Sequence, residues 1–322
     1  MSRLLSLLLF VSTVLGFSPA HGFTPPTYLL QWGSLGNGPG QFNGPAGIGA
    51  DPDGNIFIVD AYNSRIQKFS SSGAYITEWG SSGTLAGELN LPLGLAVDSG
   101  GDIYVTELNG NRVQKFSGFG ARLANWGGFG SSPGQFSGPR GIAADAARNI
   151  YVSDGDNRRI QKFTSSGAFL LQWGAPAGLP PSLNLPFGIA SDLAGDIYLA
   201  NAYGSRIEKY TSAGAFITSW PASDSLGGQG PRGVAVGPDG NLYVADIANN
   251  RIQVFTNTGT FLGQWGSLGT GNGQFYYPFF LCFDWAGNLY VGDFYNNRIQ
   301  KFGQLPVPVE RISWGHLKAL YR

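Results

Sequence analysis

The 322-residue sequence contains one cysteine, Cys282, and two histidines, His21 and His316. A lone thiol permits no intramolecular disulfide, and the absence of any CxxC or Cys/His spacing removes a structural zinc from consideration, so stability must come from packing and chain closure. Charge is equally sparse. Asp, Glu, Lys and Arg make up 12% of the chain, with 20 bases cancelling 20 acids, so no large field exists to gather nucleic acid or anionic lipid. Long apolar runs are missing outside the first residues. There, Arg3 supplies a positive start and Leu4 to Phe17 an apolar stretch, about 14 residues against the roughly 20 needed to span a bilayer. Ser18-Pro19-Ala20 is a small-residue ending suited to signal peptidase. Residues 1–22 are therefore expected to be a signal peptide, cut after Ala20 or after Gly22. The mature chain is expected to be secreted, extracellular or periplasmic, with no transmembrane segment.

Glycine and proline are abundant, at 50 and 19 residues, and the aromatics are periodic. Trp32, Trp79, Trp126, Trp173, Trp220 and Trp265 follow one another at steps of 47, 47, 47, 47 and 45 residues. This period is too long for leucine-rich or ankyrin units and suits one four-stranded blade of a propeller. Length alone would suggest two domains, but a repeat unit must bury its faces against its neighbours and is no core by itself. In the first unit Gly47–Ala50 reads as an inner strand, Asp51-Pro52-Asp53-Gly54 as a tight turn, and Asn55–Asp60 as a β-branched, aromatic second strand. A polar loop, Ala61–Ser64, leads to a third strand at Arg65–Phe69, and a hairpin turn leads to a fourth at Ala74–Trp79.

The segment Gly54-Asn55-Ile56-Phe57-Ile58-Val59-Asp60, followed by Asn63-Ser64-Arg65-Ile66-Gln67-Lys68-Phe69, resembles the NHL-repeat consensus, as does Gly240–Asp246 with Asn249–Phe255. The resemblance spans residues 28–302 and recurs six times. It implies an all-β, six-bladed β-propeller of four-stranded antiparallel blades. It implies no single activity, because the family includes binding modules, scaffolds and a few enzymes. Six inner-strand prolines, Pro45, Pro92, Pro139, Pro186, Pro231 and Pro278, support the blade count, and the last unit stops at its third strand, Arg298–Phe302. An orphan fourth strand, Tyr28–Trp32, precedes the first unit. Pairing the two would complete the last blade and remove an open edge. The expected organisation is a signal peptide at 1–22, the propeller at 23–302 and a tail at 303–322. The tail, with its Pro306-Val307-Pro308-Val309 spacer, is expected to dock on the ring or stay disordered.

Antiparallel connectivity puts the loops between strands two and three on the same side as those joining consecutive blades. On that side the repeats differ from one another. After each inner-strand proline stand Ala46, Leu93, Arg140, Phe187, Arg232 and Phe279, and the strand-two-to-three loops contribute Tyr62, Asn109, Asp156, Tyr203, Ala248 and Tyr295. Tyr62, Arg140, Asp156, Phe187, Tyr203, Arg232, Phe279 and Tyr295 are the ligand-binding candidates, suited by stacking and charged hydrogen bonds to a protein, peptide, carbohydrate or acidic small molecule. The competing reading is that they fill the channel mouth. Asp60/Arg65 and its equivalents, with Glu107/Arg112 a variant and Asn201/Arg206 a departure, are read as scaffold because they recur in every unit. Asp51–Asn55 lacks the downstream Glu of a calcium loop and is read as a turn. Lys68, Lys115, Lys162, Lys209 and Lys301 share one repeated position and are expected to form an equatorial ring, which argues against a nucleic-acid partner.

Lyases built on this fold rely on channel histidines, and neither histidine of this chain lies in the repeats. The expectation is a monomeric, non-catalytic recognition or scaffold module with no catalytic residues, no metal and no cofactor. The alternative is a metal-dependent hydrolase or lyase with an oxygen-ligand site in the central channel, on which Asp145 and Asp156 would converge.

Overall fold

Each repeat becomes one antiparallel sheet because its second strand has no polar face to offer solvent: Ile56–Asp60 and its five equivalents are buried along their whole length. The structure, a computed structural model, describes residues 23–174, 183–223 and 230–303. The expected signal peptide and residues 304–322 of the expected tail lie outside the described residues. Six four-stranded sheets form, each a meander in chain order except the last, in which Tyr28–Trp32 supplies the outer strand. The six-bladed propeller and its closure are as the sequence indicates.

The inner strands begin at the six prolines, as in Pro45–Ala50 and Pro139–Ala144. They approach so closely that a Cβ at Gly94, Gly141 or Gly188 would meet the backbone carbonyl of Arg140, Phe187 or Arg232 in the next blade. Glycine is needed there for backbone contact. The sixth blade departs from the pattern, with Phe280 at the glycine position, packed 5.8 Å from Phe187 and 5.2 Å from Phe279.

Closure rests on the pairs Tyr28–Phe302, Leu30–Lys301, Gln31–Gln300 and Trp32–Ile299, and the Gly303 N–H donates to the Thr27 carbonyl at 2.7 Å. Trp32 then lies between two blades, 5.7 Å from Phe69 and 6.1 Å from Tyr290. The other five repeated tryptophans wedge their blade against the next in the same way, as Trp79 does between Phe57 and Phe116. Only Trp220 is fully buried, at 7% exposed; the others are half-buried. None of the six indole N–H groups has a hydrogen-bond partner among the described residues. Replacing Trp126 by Phe should therefore change stability by less than about 1.5 kcal/mol, since it deletes no hydrogen bond and little packed volume; urea unfolding followed by circular dichroism measures this.

The Asp/Arg pairs form the expected scaffold. In the first blade Asp60 accepts from the Asn43 N–H, Asn63, Gln67 and Arg65, whose remaining donors reach the carbonyls of Asn37, Gly38 and Gln41. The net ties the strand-two-to-three loop to the loop entering its own blade. Burial nevertheless pushes the Asp60 and Asp154 carboxyls above the usual range, outweighing their donors. Asp51 accepts both the backbone and side-chain N–H groups of Asn55, as a hairpin turn requires.

The fourth blade keeps the net but moves its acid. Asn201 replaces the aspartate, and Glu208, where other blades carry glutamine, accepts from Asn201 at 2.7 Å, from Arg206 at 2.6 Å and from the Tyr210 hydroxyl.

The repeated lysines do not form an exposed ring. Lys68, Lys209 and Lys301 are 7 to 8% exposed. Each ammonium lies about 5 Å over the aromatic ring opposite it in strand two, as Lys162 does over Tyr151. Lys68, Lys162 and Lys301 also donate to the carbonyls of Gly118, Ser212 and Ser71 in the following blade. The sequence shows the repetition; it does not show that strand three of each blade is covered by its neighbour.

Candidate loop-face site

The eight candidates separate into a buried channel group and an exposed rim. Phe187, Arg232 and Phe279 are 5, 8 and 7% exposed, because the residue after each inner-strand proline turns toward the axis. Phe187 is the hub: Phe279 packs at 5.3 Å, and the guanidinium carbons of Arg232 and Arg140 lie 4.4 and 5.8 Å from its ring centre. Arg140 is held by the Gly138 carbonyl at 2.7 Å and by Asp156 at 3.1 Å. Arg232 has no carboxylate among the described residues, and its Nε and Nη1 lack hydrogen-bond partners. Burial pulls its basicity down, opposed by the nearby Tyr277 and Tyr203 and reinforced by the like charge of Arg140. The filler reading thus describes Phe187 and Phe279, and Arg232 stands apart from it.

On the rim Tyr62, Tyr203 and Tyr295 are 58, 52 and 51% exposed. Tyr62 rests against Phe294 at 5.8 Å, and Tyr295 against Tyr276 at 4.9 Å and Tyr277 at 5.1 Å. These contacts build an aromatic shelf across the junction of the sixth and first blades. Sequence reading missed Tyr276, Tyr277, Phe280 and Phe294. For two of them a signal was present: Phe280 stands where other blades have glycine, and Tyr277 where three have Gly44, Gly138 and Gly230. Tyr277 adopts the left-handed φ of 67°, which for a bulky residue costs on the order of 1–3 kcal/mol. Its ring therefore sits there against the backbone's preference.

Between the second and third blades, Asn109, Asn111, Phe129, Gly138, Arg140 and Asp156 line an open cavity of about 440 Å³. Asp145 and Asp156 do not converge. Asp145 is tied to Asn149 and Tyr151 in the turn between strands one and two, on the opposite side of the ring from the loop that carries Asp156. Among the described residues no three His, Cys, Asp or Glu side chains group to hold a metal.

The NHL-repeat family model matches residues 42–69, 89–116, 136–163, 229–255 and 275–302. The chain belongs to the NHL-repeat family. The blade of this NHL propeller without a match is the fourth, the one in which the acid has shifted to Glu208. No curated protein matches the chain. Among solved structures it is similar to a gluconolactonase from Xanthomonas campestris (16% identity, TM-score 0.62, covering 88% of this chain and 96% of that one). A streptogramin B lyase is similar too (21%, 0.60, 81% and 93%), as is a chain of a nidogen/laminin complex (22%, 0.53, 68% and 79%). At these identities the likeness is one of fold.

Proposed function

We propose that this NHL propeller is an exported, monomeric, non-catalytic recognition or scaffold module that captures a protein, peptide or carbohydrate on its loop face. The observation that carries the reading is the rim: Tyr62, Tyr203 and Tyr295 expose more than half of their surface on the side where the repeats differ. Tyrosine gives large flat contact area at low side-chain entropy, the property wanted of a recognition surface. The likeness to a chain from a nidogen/laminin complex is compatible with this use of the fold.

The purified protein should bind members of a glycan and peptide array, and Tyr62→Ala, Tyr203→Ala and Tyr295→Ala together should abolish that binding. Each exposed substitution should alter stability by only about 0.5 kcal/mol. An array without hits, or a triple variant that binds unchanged, would count against the reading. The catalytic alternative draws on the lyase and gluconolactonase neighbours. Tight stoichiometric calcium, zinc or magnesium, measured by thermal shift and elemental analysis, would favour it instead. Export makes a separate prediction: the processed chain should begin at His21 or Phe23, which N-terminal sequencing of the protein from a secreting host reads directly.

A further inference from the structure

Four described arginines are less than a tenth exposed: Arg65, Arg159, Arg232 and Arg298. Three of them hold a carboxylate within 2.8 Å, on Asp60, Asp154 and Asp293. Arg232 does not. The Phe187 ring covers its face at 4.4 Å but cannot accept the in-plane N–H bonds of Nε and Nη1, which are left open. A buried guanidinium with open donors carries a desolvation cost that an arriving anion would offset. The adjacent Arg140 is already engaged by Asp156, so among the described residues the surplus at the channel mouth is one positive charge. The rings of Phe187 and Phe279 wall the space with apolar surface, and Tyr277, stacked on Phe279, sets its hydroxyl against the Arg232 guanidinium.

We infer that the channel mouth binds a carboxylate-bearing ligand, with Arg232 as its receiving group. A singly charged carboxylate balances the one uncompensated guanidinium, whereas a phosphate monoester, nearer to −2, would bring a second charge into an apolar site with nothing to pair it. The rings favour a carboxylate mounted on a flat or cyclic body, as in an acidic sugar or a peptide C-terminus. This inference rests on the recognition reading and names its ligand class.

The test uses the processed full chain with benzoate and the isosteric neutral benzamide as probes, in thermal shift and isothermal titration. Benzoate should stabilise saturably and benzamide should not. Arg232→Gln should weaken benzoate by about tenfold or more, the loss of a charge-assisted contact. Arg232→Met should melt no lower than the parent, because it deletes an unpaired buried charge. Equal response to the two probes, undiminished benzoate binding by Arg232→Gln, or a marked fall in the melting temperature of Arg232→Met would each overturn the inference. Oligogalacturonate against its methyl ester, and a peptide acid against its amide, then separate the two sources. Array ligands indifferent to the carboxylate would sink the inference and leave the recognition reading standing. Benzoate binding without any array ligand would do the reverse.

Discussion

A chain that begins at residue 33 should fail to form a stable ring. Without Tyr28–Trp32 the sixth blade loses its outer strand, and Arg298–Phe302 becomes an open edge. Phe23, stacked 6.4 Å from Trp265, is lost with it, and so is the Trp32 wedge between Phe69 and Tyr290. Apart from the channel contacts, each blade packs on its two neighbours, so weakening one junction of a closed ring weakens all of it. Urea unfolding and size-exclusion chromatography of chains starting at residues 23 and 33 should show a cooperative monomer for the first and aggregation or broad unfolding for the second. Trp32→Ala grades the same effect. It should cost about 3 kcal/mol, the low end for truncating a tryptophan, because this ring is half-buried. Full burial would assign each repeated tryptophan roughly 4–6 kcal/mol of gross stabilisation, which the exposure of five of the six does not support. A synthetic 23–32 peptide should restore the shorter chain if edge pairing is the missing element.

The second large effect concerns the fourth blade. Glu208→Gln takes from Arg206 the carboxylate that its Nε now reaches, and Asn201→Asp sets two carboxylates together where a 2.7 Å hydrogen bond now stands. Each single change should cost about 2–3 kcal/mol, less than the full price of breaking a buried pair because Arg206 is one-third exposed. The double variant rebuilds the arrangement of Asp60, Arg65 and Gln67 and should fall within about 1 kcal/mol of the parent. Tyr210→Phe completes the match to Phe69. A double-mutant cycle by urea unfolding measures the coupling. Additive losses would mean that the two positions do not share one charge.

The period, the blade count and the closing strand were legible because each depends on residues that repeat, and Tyr28–Trp32 was recognisable as a unit's missing part. The loop face was legible as a set of differences, yet its depth was not. Phe187 and Tyr203 lie in the same blade and both read as aromatic ligand-binding candidates, but one is 5% exposed and the other 52%. What separates them is the turn of the inner strand toward the axis, where residues from other blades, such as Phe279, meet Phe187. Those encounters join positions some ninety residues apart in sequence, and no local pattern records them. The Asn201 departure was visible, and its compensation by Glu208 was also written in the sequence, seven positions on. It escapes a reading that compares pairs at one fixed spacing.

The inward lysines have a practical corollary. Lys68, Lys115, Lys162, Lys209 and Lys301 each lie over a strand-two ring, and three of them also reach the next blade, so an amine-directed reagent should modify them slowly in the native ring. Amine coupling would therefore report on the integrity of the ring, because blades that come apart would uncover these ammonium groups and react faster.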